Sequence, residues 1–174
     1  SCNRDKTRHD ASGTFEAVET IVPAEATGII EALDIEEGQT LQAGQIVGYI
    51  DSTQLWLKKR QLESQIDAVL SRKPDIARQT AALREQLRQA EREQKRIAGM
   101  VQADAATSKQ LDDAGTQVAV IRKQIDALQS SLRVTTASLS EETSPIVLQI
   151  AQLEDQLSRC RIVNPVNGTV LTKY

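Results

Sequence analysis

Aromatic residues are nearly absent: one Phe, one Trp and two Tyr among 174 residues, or 2%. They are Phe15, Tyr49, Trp56 and Tyr174, and none falls between Leu57 and Lys173. Aromatics supply much of the buried area of a compact core. Their absence over so long a span argues against a single compact domain. It also argues against an enzyme pocket, whose walls are apolar and aromatic. The two cysteines, Cys2 and Cys160, are too few for a disulfide framework or a zinc site. No apolar run approaches the roughly 18 residues of a membrane-spanning helix. The net charge is only −3, with both signs interspersed. No basic stripe with interleaved aromatics exists, so no nucleic-acid partner is indicated.

What the chain does have is periodicity, in three regions. Residues 1–12 are a polar stretch, read as a flexible tether; its lone His9 reads as solvated. Within it, Ser1-Cys2-Asn3 has the form of a bacterial lipoprotein junction, which makes Cys2 a lipidation candidate. The plainer alternative is an ordinary terminal thiol. From 13 to 51 the pattern is β-like. Thr14–Val22 reads as a strand ended by Pro23. Gly28-Ile29-Ile30 leads into Ala32–Ile35, Gly turns follow at Glu36–Gln39 and Gln42–Gln45, and Ile46–Ile50 closes the run.

From 52 to 160 the period becomes helical. Asp51 and Ser52 are capping residues at its start. Leu55, Leu62, Val69, Ile76, Leu83, Ala90 and Ile97 recur every seven residues, accompanied by the mixed line Lys59, Ile66, Lys73, Thr80, Leu87, Gln94 and Val101. One strong and one diluted apolar line fits the seam of a two-helix pair. A second arm steps through Leu111, Ala114, Val118, Ile121, Ile125, Leu128, Leu132, Thr135 and Leu139, then resumes at Ile146, Ile150, Leu153, Leu157 and Cys160. The register slips across Glu142. Because proline inside a helix costs about 3 kcal/mol, breaks are expected near Pro74 and near Pro145. The chain must turn between the arms, near 99–108, where Thr107 and Gln110 form a capping box. Residues 161–174 return to a β pattern. Val163-Asn164-Pro165 with Gly168-Thr169-Val170 echoes Val22-Pro23 with Gly28-Ile29-Ile30. The expected class is α+β: a long antiparallel coiled-coil hairpin inserted into a small β unit.

These passages resemble the periplasmic adaptors (membrane fusion proteins, HlyD family) of bacterial efflux and secretion systems. Val22–Asp51 looks like the first half of that family's lipoyl (biotinyl-like) domain, and 161–174 like the incomplete start of the second half. The order β-half, hairpin, β-half is the strongest part of the likeness. In lipoyl carriers a lysine at the tip between the halves bears the cofactor. Here that position falls near Gln54, so the resemblance implies no cofactor and no enzyme. At the hairpin turn, Arg96, Met100 and Thr107 match the Arg, Leu and Ser with which such adaptors dock onto TolC-type ducts; Met and Thr are departures of similar shape. Read without the resemblance, Arg96 is a solvated arginine, Met100 closes the seam and Thr107 is an N-cap.

The resemblance implies a location in the periplasm of a Gram-negative bacterium, with an anchor to the inner membrane through Cys2. It implies three kinds of partner: an inner-membrane transporter (ABC-type or proton-driven), an outer-membrane duct, and further copies of the chain in a ring of six. The strand at Gly13–Val22 would then belong to a neighbouring barrel domain. Two other classes stay open: a structural coiled-coil spacer without a transport role, and a carrier-protein subunit of an enzyme.

Overall fold

The computed structural model describes residues 16–173, so the segment 1–12, Cys2 and Phe15 lie outside the described residues. The chain divides into two compact units. One combines the residues up to Asp51 with those from Ser158 onward, and the other is Ser52–Leu157.

The first unit has five short strands, β1 (Ile30–Leu33), β2 (Thr40–Leu41), β3 (Ile46–Ile50), β4 (Arg161–Val163) and β5 (Gly168–Thr169). One antiparallel sheet has the order β1-β3-β4, and β2 pairs antiparallel with β5. Both sheets therefore join the two ends of the sequence.

Two turns of one design shape the first half. In Glu36-Glu37-Gly38-Gln39, the Gln39 N–H donates to the Glu36 carbonyl at 3.1 Å, and the Gln39 side-chain oxygen accepts from the Glu36 N–H at 3.0 Å. Six residues on, Gln42-Ala43-Gly44-Gln45 repeats both bonds, at 3.2 and 3.1 Å. The third residue has φ +84° in Gly38 and +82° in Gly44, a region open to glycine at no steric cost.

Each turn is fastened to the far end of the sequence. The first exchanges Gly38 N–H to Val170 carbonyl (2.8 Å) and Val170 N–H to Gln39 carbonyl (2.9 Å). The second is held by Asn164, which is only 3% exposed. Its backbone exchanges bonds with Gln45 and Gly44 at 2.8 Å, and its side-chain amide donates to the Gln42 carbonyl at 2.8 Å. Leu41, Val47, Ile50, Cys160 and Ile162 form an aromatic-free core around this framework.

The strand expected over Thr14–Val22 is not formed in its described part. Residues 16–22 have no regular structure, with Val18 92% and Ile21 87% exposed. Strand-forming residues give a strand only beside a partner, and none pairs with this segment among the described residues.

The second unit contains α1 (Thr53–Leu70), α2 (Ile76–Gln102) and α3, which runs from Ser108 to Arg159. Three ion pairs fix an antiparallel arrangement: Lys59 to Glu154 (3.1 Å), Arg72 to Glu142 (2.6 Å) and Glu91 to Arg122 (2.8 Å). Each step up the first arm is matched, to within one residue, by a step down α3. Both lines of the first arm face the seam, with Leu62 and Thr80 buried and most of the others half-buried. Lys59 tolerates its seam position by laying its stem along the seam and its ammonium on Glu154 and Glu63.

The first arm is interrupted at 71–75. Proline disfavours helical geometry in the residue before it, and Asp75 restarts the helix by accepting from the Arg78 N–H at 3.1 Å. The break expected near Pro145 does not occur: α3 runs through it without interruption. Nor does the register slip there. Thr143, 7% exposed, fills the position between Leu139 and Ile146 and carries the seam through in steps of three and four. Its hydroxyl donates to the Ser140 carbonyl at 2.9 Å, so a polar residue sits in the seam without an unpaired group. Pro145 lies on the exposed side, as does Glu141. One further expected position shifts by a residue: Thr136, not Thr135, turns inward, with its hydroxyl on the Leu132 carbonyl.

Candidate functional site at the hairpin tip

The turn between α2 and α3 is only five residues, 103–107, so Gly99, Met100, Val101 and Gln102 of the expected turn are helical. Its geometry is closely determined on both sides. The Asp104 N–H bonds to the Val101 carbonyl (3.1 Å) and the Ala105 N–H to the Met100 carbonyl (2.7 Å), the double closure of a Schellman end. Asp104 takes the left-handed position at φ 55°, which Asp tolerates better than most residues. On the other side Thr107 and Gln110 cap α3 reciprocally. Thr107 Oγ1 accepts from the Gln110 N–H at 3.1 Å, and Gln110 Oε1 accepts from the Thr107 N–H at 2.8 Å. Thr107→Ala is expected to destabilise the hairpin by about 1 kcal/mol. Thermal unfolding followed by far-UV circular dichroism checks it; an unchanged midpoint would show the cap to be idle.

Arg96 stands on the last turns of α2. Its Nε and Nη2 donate to the two carboxylate oxygens of Glu93 at 2.8 and 2.6 Å, and its Nη1 reaches Met100 Sδ at 3.1 Å. These hydrogen bonds hold the Glu93 carboxyl below the usual carboxylate range and raise the guanidinium above its own. A second pair stands across the turn, where Lys109 donates to Asp113 at 2.8 Å and is raised by that bond. Between them runs a shallow groove with Ala90, Ile97, Met100, Ala106 and Ala114 as its apolar lining and Glu93, Arg96 and Asp113 among its polar residues.

The structure thus brings Arg96 and Met100 together in one groove. Thr107 is not among the groove's lining residues; its cap partner Gln110 is. The sequence pattern does not single out Glu93, although its place three residues before an arginine on a helix is a signal for such a pair. It also gives no structural role to Asn164. No group of three or more His, Cys, Asp or Glu side chains placed to hold a metal occurs among the described residues. No helix there is long and apolar enough to cross a membrane.

No family model matches the chain, and no curated protein sequence matches it. Several solved structures are similar, at low identity. The periplasmic adaptor protein EmrA is 17% identical over 84% of this chain and 63% of that one, with a TM-score of 0.45. The soluble domain of LipC, a membrane fusion protein of a type I secretion system, is 15% identical over 86% of this chain and 90% of that one, with a TM-score of 0.46. MacA from Actinobacillus actinomycetemcomitans is 18% identical over 87% and 41% of the respective chains, with a TM-score of 0.40. The chain therefore spans less than two thirds of the EmrA and MacA structures.

Proposed function

We propose that the chain is part of an HlyD-family periplasmic adaptor, and that it acts by holding two other proteins together rather than by chemistry. The observation that carries this reading is the division of the β unit. Asn164 and Val170 fasten the second half to the two Gly-Gln turns of the first, while the intervening residues form an antiparallel hairpin with a closely built tip. Such a β unit is the lipoyl-like half-and-half domain of an adaptor. In α3 alone, 52 residues at 1.5 Å each extend about 78 Å, a length suited to bridging rather than to enclosing a substrate.

In this reading the tip, through Arg96 and Met100 with Thr107 holding the turn, docks onto a TolC-type outer-membrane duct. The β unit packs against its copies in a ring of six, and the inner end meets an ABC-type or proton-driven transporter. Cys2 supplies the lipid anchor to the inner membrane. Cargo passes through the assembly for efflux or secretion.

A site-directed crosslinking scan in cells tests the docking. A photoreactive residue placed beside the tip, at Gly99 or Ala105, is expected to capture an outer-membrane duct protein. The same probe at Arg78 or Ala137 on the middle of the arms is expected to capture none. Equal capture at all four positions, or none at the tip, would sink the reading and favour a spacer without transport partners.

A further inference from the structure

Arg96 does not stand free at the tip. Glu93 grips it along one edge of the guanidinium with both carboxylate oxygens, and Met100 Sδ receives a donor of Nη1. An arginine has five N–H donors in a fixed plane. The three contacts use Nε–H, one N–H of Nη2 and one of Nη1. One N–H on each terminal nitrogen is left. Because the plane is rigid, the bidentate grip also fixes the direction of these two donors.

The pair is exposed, at 60% for Arg96 and 49% for Glu93, and an exposed pair adds little to stability. Its consequence is instead orientation and charge. A single long side chain at a helix end samples many rotamers, and ordering it on binding costs free energy. Glu93 orders it beforehand and balances its charge. What Arg96 then offers a partner is a pair of aimed hydrogen-bond donors beside the Met100 side chain, in a groove that it lines together with Glu93.

We infer that Glu93 is a positioning residue for docking, one that makes no partner contact itself but presets the side chain of Arg96. The inference rests on the docking reading above. It predicts coupling: removing the grip matters only while there is an arginine to be held.

A double-mutant cycle on the full-length adaptor tests it, reading capture of the outer-membrane duct protein by titration. Glu93→Gln is expected to weaken capture roughly three- to tenfold, on the scale of coupling between directly contacting residues. In an Arg96→Ala background the same change is expected to do nothing more. Thermal unfolding should not move with Glu93→Gln, which separates positioning from a fold defect. If Glu93→Gln weakens capture equally in both backgrounds, or leaves capture unchanged while Arg96→Ala abolishes it, the positioning role is overturned and docking through Arg96 stands. If Arg96→Ala leaves capture intact, the docking reading itself fails, and this inference with it.

Discussion

Gly48→Val collapses the β unit while leaving most of the helical signal in place. Gly48 is buried in the middle strand of the three-stranded sheet, opposite Leu33 on one side and Ile162 on the other. A Cβ placed there would lie 2.5 Å from the Ala32 carbonyl oxygen and 3.3 Å from the Leu33 Cα. These are backbone atoms of the neighbouring strand, and they can move only if β1 leaves the sheet. Overpacking a core typically costs 1–3 kcal/mol, and a clash with backbone lies at or above the top of that range, about 3 kcal/mol. The unit has little to set against it, since its core is five aliphatic or thiol side chains and Asn164. Near-ultraviolet circular dichroism of Tyr49, which stands next in β3, should lose its fine structure. Far-ultraviolet ellipticity at 222 nm should fall only slightly. An intact Tyr49 signal in the valine variant would show that the sheet can open at this point without loss.

Pro145→Ala stabilises the hairpin. The proline sits inside a 52-residue helix on its exposed side. Its ring removes one hydrogen bond to the Glu141 carbonyl and crowds that group, at a cost of about 3 kcal/mol in a helix interior. Part of this is returned because proline also restricts the unfolded chain, by about 0.4–1 kcal/mol. A net gain of about 2 kcal/mol is expected from alanine, which raises the midpoint of thermal unfolding by several degrees. No seam contact is lost, because Leu139, Thr143 and Ile146 carry the packing past this point. A lowered midpoint would mean that the ring makes a contact worth more than the bond it forbids.

The class of the fold was legible because periodicity speaks directly to buried faces. The seven-residue line through Leu55, Leu62 and Leu83 needed no structure to be read as a seam. The misreadings near Pro145 have one physical origin. Thr143 lies between two charged or polar stretches and was left out of the seam, yet a helix can hide a threonine hydroxyl on its own carbonyls, as at Thr80, Thr136 and Thr143. With Thr143 skipped, the seam looked interrupted at the place where a proline also stood, and two faint signals were added into one break. The segment 16–22 failed for the opposite reason: its strand vocabulary is local, while pairing is not. At the tip, sequence position was enough to single out Arg96 and Met100. That Glu93 holds the guanidinium depends on rotamers, which spacing only permits. Asn164 was invisible because its partners, Gln42, Gly44 and Gln45, lie more than a hundred residues earlier.

That last separation bears on how the protein comes together. The bonds from Asn164 and Val170 close loops of about 120 to 130 residues, and an unstructured loop of that length opposes closure by its entropy. Zipping α1 and α2 against α3 first would reduce the effective loop to a handful of residues. At about 0.6 kcal/mol for each halving, that shortening removes roughly 2–2.5 kcal/mol from the closure cost. The hairpin, proposed here as the part that reaches a partner, is also the folding template that delivers the second half of the β unit to the first. Sheet pairing that follows helix zipping, rather than preceding it, is the kinetic order expected of a domain interrupted in this way.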